Sequence, residues 1–144
     1  MQSIHATSDK NMAQDRLGEA RIQGAYAWRK LIDAGARIAN GSDFPVESPN
    51  PFWGLHAAVT RQDRNGEPRG GWFPEERMTL VEAFASYTID AAYAGHQEDF
   101  IGSLEAGKKA DFIILDRDIF NVPASEIWET QVTETWVNGI RVTE

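Results

Sequence analysis

The last third of the chain contains three short strand-like runs, and this limits the possible fold more than any other feature. Phe112–Leu115 is a continuous apolar run, and Val132–Val137 and residues 140–142 flank the dipeptide Asn138-Gly139. Asn-Gly favours a two-residue hairpin turn in which both central residues have positive φ. Three isolated strands bury too little apolar surface to be stable alone. We therefore expect a small β-rich unit from about residue 101 that packs against a sheet supplied from elsewhere.

Helical periodicity predicts three helices before that unit. Apolar residues recur at helical spacing over residues 19–34, and Gly35 suits the left-handed position beyond the C-terminus. Thr79 and Glu82 have the spacing of a capping box, which predicts a helix that begins at residue 80 and ends at Gly95. A shorter helix is expected over residues 52–61. Residues 1–18 are polar and lack periodicity, so they are expected to form a loop.

A candidate catalytic residue follows a predicted strand. Residues 37–40 predict a short strand, which ends in the loop of residues 41–46 because Pro45 blocks further pairing. Asp43 then lies at the C-terminal end of a strand that follows a helix, and in parallel α/β folds this edge carries the active-site loops. A carboxylate there can bind a metal and accept a proton. The alternative is that Asp43 only caps a turn before Pro45.

The histidines are separated widely along the chain and include the second candidate. His5 lies in the polar N-terminal segment beside Ser8 and Asp9, where it either contributes to a site or is an exposed, locally bonded side chain. We expect His56 on the surface of a helix and His96 just after a helix end, neither with a functional role. No His-x-His or His-Glu-x-x-His spacing occurs, so the residues alone do not define a metal site.

Several chemistries are excluded by what the chain does not contain. It has no cysteine, which excludes disulfides, thiolate nucleophiles and Cys-based zinc sites and leaves histidine and carboxylates as the strong metal ligands. It has no nucleophile elbow, no P-loop and no Gly-x-Gly-x-x-Gly. Aromatic residues more often form core than ligand platforms; Trp53, Trp72 and Phe73 are the better candidates for ligand contact because they lie in long turn-rich segments.

The net charge of the chain and the length of its apolar runs indicate which kinds of partner it can bind. The formal net charge is -8, so we expect no nucleic-acid partner, since such binding needs a concentrated basic face. Nothing approaches the run of about 20 apolar residues that crosses a bilayer, so no membrane partner is expected. The absence of cysteine fits a cytoplasmic location.

Three runs of sequence resemble the amidohydrolase superfamily. They are residues 40–47, which include Gly-Ser-Asp-Phe-Pro-Val, residues 79–88, and residues 101–116, which include the specific pattern Gly-Ser-Leu-Glu-x-Gly-Lys-x-Ala-Asp. The closer resemblance is to amidohydrolase family 3, the branch with N-substituted formamide deformylase-like proteins. Residues 5–9, 15–18 and 24–28 match that branch in the same order, so the resemblance covers essentially the whole chain.

The resemblance implies an α/β fold. Residues 1–100 would be the C-terminal portion of a metal-dependent-hydrolase (β/α)8 TIM barrel, and residues 101–144 the C-terminal strands of a small composite β-sandwich. Residues 1–3 would end barrel strand seven, and residues 37–43 would form strand eight. This explains why the three strands inferred above lack a partner sheet.

The resemblance also implies an activity, namely metal-dependent hydrolysis of a carbon-nitrogen bond other than a peptide bond, in a small-molecule amide or formamide substrate. The cofactor would be a divalent metal, Zn²⁺, as one or two ions. Asp43 matches the strand-eight aspartate, a metal ligand and general base toward the attacking water. His5 matches a histidine after strand seven, for which substrate binding is implied rather than ligation.

The other ligands that the family carries, on strands one, five and six and at the bridging position, have no counterpart in the chain. We expect them upstream of Met1, in an N-terminal remainder of the barrel and sandwich, and expect this C-terminal fragment to be inactive alone. The alternative is a non-catalytic interaction or complementation module, or the remnant of a truncated gene. The sequence leaves the oligomeric state open, a homo-oligomer included.

Overall fold

The computed structural model describes residues 1–142, and residues 143 and 144 lie outside the described part. Helices account for most of the regular structure in residues 1–100. They are α1 (His5–Ser8), α2 (Lys10–Ile22), α3 (Trp28–Asp33), α4 (Pro51–Thr60), α5 (Leu80–Tyr87) and α6 (Ile89–Ala94). Short 3₁₀ segments cover Pro74–Glu76 and Ala124–Glu129. The part of the chain described contains no helix long and apolar enough to cross a membrane.

The C-terminal unit is the three-stranded antiparallel sheet that the sequence predicts. Its strands are β1 (Phe112–Leu115), β2 (Val132–Val137) and β3 (Ile140–Arg141), in the order β1-β2-β3. Asn138 and Gly139 turn the β2-β3 hairpin at φ values of 52° and 76°. The rings of Phe112 and Trp136, paired across β1 and β2, stack with centroids 5.5 Å apart. The hairpin prediction is confirmed, with β3 one residue shorter than expected.

The prediction of a loop over residues 1–18 is wrong, because α1 and most of α2 occupy this segment. Side chains that bond the backbone support α1, where the Thr7 hydroxyl donates to the Ile4 carbonyl at 2.8 Å. α2 is polar nearly all round, and only Ala13 and Ile22 within it are buried, so hydrophobic periodicity carried no signal. Gly18, at φ 69°, interrupts the helical backbone.

Two of the predicted helices are divided. The helix expected over residues 19–34 breaks between α2 and α3, where Tyr26 adopts a positive φ of 53°. Thr79 and Glu82 form the predicted capping box, but Thr88 leaves helical geometry and separates α5 from α6. The helix expected over residues 52–61 is confirmed as α4, with the Asn50 side chain accepting from the Phe52 amide at 2.9 Å.

The strand expected over residues 37–40 is extended chain without strand assignment. On one side the Met1 nitrogen donates to Ala39 O, and Gly41 N donates to Met1 O at 2.9 Å, which is the bonding pattern of neighbouring parallel strands. On the other side Asn40 N donates to Ser86 O at 2.8 Å, at the end of α5. A strand assignment needs several successive residue pairs bonded through the backbone, and the short segment before α1 provides one such pair, that of Met1 with residues 39–41.

The core centres on α4. Phe52, Leu55 and Ala58 are buried on this helix, and Ile127 packs there from the 3₁₀ segment. At the C-terminus of α4, the fully buried Arg61 lies between the indoles of Trp28 and Trp72, with its guanidinium carbon 4.3 Å and 5.1 Å from their ring centroids. Burial lowers the pKa of Arg61 to about 10, so the guanidinium stays charged at neutral pH.

Candidate active site

A buried polar cluster holds the two parallel segments in place. The Asn40 side chain accepts from Ser3 N at 2.9 Å and donates to the hydroxyl groups of Ser3 and Ser86. Both serines are fully buried. Because the serines are buried, Asn40 is half-buried and all these groups are paired, the cluster fixes where the extended segment ends relative to the start of α1.

Asp43 lies just beyond this cluster. Its backbone adopts the left-handed conformation at φ 60°, which Asp tolerates better than most residues. Its carbonyl accepts from Val46 N at 2.8 Å, so the turn foreseen before Pro45 exists. The Asp43 side chain is 46% exposed and accepts no hydrogen bond from the backbone of that turn. The carboxylate is therefore open to a ligand.

His5, the first residue of α1, faces Asp43. Its Nε2 lies 3.6 Å from Asp43 Oδ2, which is longer than a hydrogen bond. This nitrogen is buried and has no hydrogen-bond partner in the described part of the chain. The structure thus brings together the two residues that the sequence singled out.

The two groups fit one side of a divalent metal site. A carboxylate oxygen and an orphaned imidazole nitrogen are both ligands that such ions accept. Within residues 1–142 no group of three or more potential ligands occurs, so these residues can form only part of a complete site.

A cavity of about 220 Å³ adjoins the same two segments. Thr7 and Ser8 of α1 line one part of it, and Glu47, four residues beyond Asp43, lines another. The Ser8 hydroxyl donates to Glu47 Oε1 and joins the two walls. Glu47 N donates to Asp43 O at 3.4 Å, so the cavity wall formed by Glu47 adjoins Asp43.

The remaining histidines and the candidate aromatic residues differ in their surroundings. The prediction of a surface position for His56 is wrong, because its residue is only 3% exposed and lines the cavity. His96 follows the end of α6, as predicted, and is exposed. Trp53 lines the cavity, whereas Trp72 is core and makes an edge contact with Phe73.

Sequence reasoning gave no role to Glu47, His56 and Arg64, which share the cavity. Glu47 lies within the family-like run of residues 40–47, and its position four residues after Asp43 was the signal that could have identified it. His56 and Arg64 have no local pattern, since tertiary packing alone brings them together.

The model of the amidohydrolase family matches residues 1–143. The chain belongs to this family. It is 38% identical over 112 residues to N-substituted formamide deformylase of Arthrobacter pascens, a match that covers 78% of this chain and 20% of that protein. It is 36% identical over 91 residues to imidazolonepropionase of Bdellovibrio bacteriovorus, covering 62% of this chain and 19% of that enzyme.

A solved structure has the same fold as this amidohydrolase chain. It is a metal-dependent hydrolase from Pyrococcus horikoshii, with a TM-score of 0.73 and 30% identity over 86% of this chain and 25% of that one. The chain thus spans between a fifth and a quarter of the length of these proteins. Its relatives by sequence thus include a formamide deformylase and an imidazolonepropionase, and its structural neighbour is a metal-dependent hydrolase.

Proposed function

We propose that this chain is the C-terminal part of a metal-dependent amidohydrolase that hydrolyses a non-peptide carbon-nitrogen bond in a small amide or formamide. The observation that carries this proposal is the placement of Asp43, open to a ligand and 3.6 Å from the orphaned His5 Nε2, at the end of paired parallel segments. A relative named for formamide hydrolysis supports the choice of bond.

The proposal includes an architecture. We propose that residues 1–100 are the last portion of a (β/α)8 barrel, with residues 1–3 and 37–43 as neighbouring strands seven and eight. Residues 101–144 would be the C-terminal strands of a small β-sandwich, and the N-terminal remainder of barrel and sandwich would be the principal partner. The parallel bonding between Met1 and residues 39–41 supports this arrangement.

Asp43 and His5 would divide the chemistry between them. Asp43 would hold the metal, Zn²⁺ as one or two ions, together with ligands outside this chain, and the ion would supply Lewis-acid polarisation of the substrate carbonyl. Asp43 accepts the proton of the attacking water as general base and returns it to the leaving amine as general acid. His5 Nε2 faces the same space, has no hydrogen-bond partner within residues 1–142, and would form a hydrogen bond with the substrate.

A fusion tests this proposal. The N-terminal part of the Arthrobacter deformylase, up to the start of its match with this chain, is joined to residues 1–144 and supplied with zinc. Amine release from formamides and amides is then measured for the fusion and for the chain alone. We expect hydrolysis by the fusion and none by the chain. Hydrolysis by the chain alone would overturn the fragment proposal, and a folded, metal-loaded fusion without amide hydrolysis would overturn the activity.

The same experiment decides between this function and the alternative. A non-catalytic complementation module would bind the separately produced N-terminal part, since exposed strand edges favour such pairing, but the complex would not hydrolyse amides. Association measured by ultracentrifugation, together with amine release, distinguishes the two.

A further inference from the structure

The cavity beside Asp43 is built entirely from this chain. It lies between α1, the loop after Asp43, α4 and the turn after α4. Its polar and aromatic lining includes Ser8, Glu47, Trp53, His56, Asp63 and Arg64. The volume of about 220 Å³ suits one small polar group of a ligand rather than a whole drug-sized molecule.

His56 is the first sign of a ligand. Its residue is 97% buried on the inner side of α4 and its ring forms no hydrogen bond or ion pair within residues 1–142, but its nitrogens are not among the enclosed unpaired atoms of those residues, so they reach the cavity. Burial lowers the pKa of His56, so at neutral pH the ring is uncharged and carries one N–H donor and one acceptor. A ring nitrogen that reaches the cavity and has no partner among the described residues is available to a bound group.

Arg64 is the second sign. Arg64 is exposed, and its guanidinium carbon lies 3.7 Å from the ring centroid of Trp53 and 5.7 Å from that of Trp128, so the planar group stacks on Trp53 at the edge of the cavity. No carboxylate of the described residues lies within ion-pair distance of it, and it donates no hydrogen bond to them. A stacked guanidinium with unused donors matches a carboxylate in geometry and charge.

The two carboxylates of the cavity, Asp63 and Glu47, differ in how many further hydrogen bonds they can accept. Asp63 is already compensated, because Lys10 Nζ lies 3.4 Å away and the amides of Asn65 and Glu67 donate to it at 2.9 Å and 3.1 Å. These donors lower its pKa. Among the residues that the structure describes, the Glu47 side chain accepts one hydrogen bond from a side chain outside its own turn, that of the Ser8 hydroxyl, and it retains acceptor capacity for an N–H group.

We propose that this cavity binds the carboxylate of the substrate through Arg64 and His56, while Glu47 accepts its amide N–H. The substrate class would then be amides of an amino acid type, in which the scissile N-acyl or N-formyl group lies next to a carboxylate. This inference rests on the proposed function for the reaction, but the cavity's preference for a carboxylate is a property of this chain alone.

Binding without catalysis tests the inference. N-formylglycine and its neutral analogue N-formylglycinamide are titrated into the 144-residue chain, with the indole N–H of Trp53 and the Nε–H of Arg64 followed by NMR. We expect N-formylglycine to shift both signals and the amide to leave them unchanged. In Arg64→Gln the affinity should fall at least about tenfold, as expected for loss of a charge-assisted hydrogen bond.

Arg69→Gln is the matched control. Arg69 is an exposed arginine in the same segment, and its substitution removes the same charge as Arg64→Gln. It should bind N-formylglycine like the unmodified chain. Equal shifts with both probes, no shift with either, or equal weakening in both variants would overturn the inference. None of these binding results depends on hydrolysis. If the chain binds the carboxylate but the deformylase fusion does not hydrolyse amides, only the proposed function is overturned.

Discussion

Asp43 Oδ2 lies 3.6 Å from His5 Nε2, although the two residues belong to separate segments of the chain. The His5 side chain is 19% exposed and that of Asp43 46% exposed, so the pair sits at the boundary between protein and open space. At this distance the two atoms form no hydrogen bond with each other, and His5 Nε2 has no other partner within residues 1–142. Both atoms can therefore contact a common ligand.

The chain should therefore bind Zn²⁺ weakly at Asp43, whose Oδ2 lies 3.6 Å from His5 Nε2. A single protein ligand gives an affinity orders of magnitude below that of a complete four-ligand site. In an NMR titration the imidazole signals of His5 should respond before those of the exposed His96. Asp43→Asn should reduce the response, and Asp99→Asn, a change at an exposed acid, should not. A first response at His96, or an unchanged titration in Asp43→Asn, would contradict the assignment.

Glu82 should make stability depend on acid pH. The Arg29 guanidinium, followed by the Thr79 amide and hydroxyl, lowers the pKa of Glu82 from 4.5 to about 2. Because the folded pKa lies below the unfolded value, the stabilisation is complete above about pH 4.5 and is lost as the pH falls toward 2. Glu82→Gln should cost about 1–2 kcal/mol at pH 7, after allowance for its partial exposure.

Urea unfolding at a series of pH values measures this effect. The difference between the unmodified chain and Glu82→Gln should shrink as the pH is lowered through that range. Glu19→Gln, at an exposed acid of α2, should leave stability within about 0.5 kcal/mol. A pH-independent difference would show that Glu82 acts by packing rather than by charge.

Gly54 should not tolerate a side chain. A Cβ at this position would lie 1.8 Å from the Tyr87 hydroxyl oxygen, which accounts for glycine in the interior of α4. Gly54→Ala should destabilise the fold by about 1–3 kcal/mol, and Tyr87→Ser should remove most of that cost in the double variant. Gly24→Ala, where the nearest atom is 3.7 Å away, is the control. Additive effects of the two changes, measured by urea unfolding, would contradict the close contact.

Asn40 should be important for stability although it is polar. Asn40→Ala leaves the Ser3 amide and two buried hydroxyls without this partner and should cost about 2–3 kcal/mol. Asn65→Ala, at an exposed turn residue, should cost little. Thermal unfolding of the two variants gives the comparison, and equal melting temperatures would argue against the cluster as a fixed anchor.

Local signals predicted the elements whose stabilising contacts are local. The Asn138-Gly139 turn, the Thr79 capping box and the apolar run of β1 are each specified by neighbouring residues, and each is present. The resemblance to the family, carried by contiguous motifs, is also confirmed.

Elements that depend on distant partners were not predictable in this way. α1 and α2 are polar and short of apolar periodicity, and the chain over residues 37–40 pairs through a single rung with Met1. His56 looked like a surface residue because its burial comes from packing around α4. The roles of Asp43 and His5 stay predictions, whereas their proximity is an outcome of folding that spacing cannot give.

The most direct test of the central claim is the metal content and amide hydrolysis of the deformylase fusion carrying Asp43→Asn, compared with Asp99→Asn and the unmodified fusion. We expect that the Asp43→Asn fusion remains folded, loses bound metal, and hydrolyses amides on the order of 10²–10⁴-fold more slowly, while the Asp99→Asn fusion behaves like the unmodified one. An Asp43→Asn fusion with full metal content and undiminished hydrolysis would contradict it.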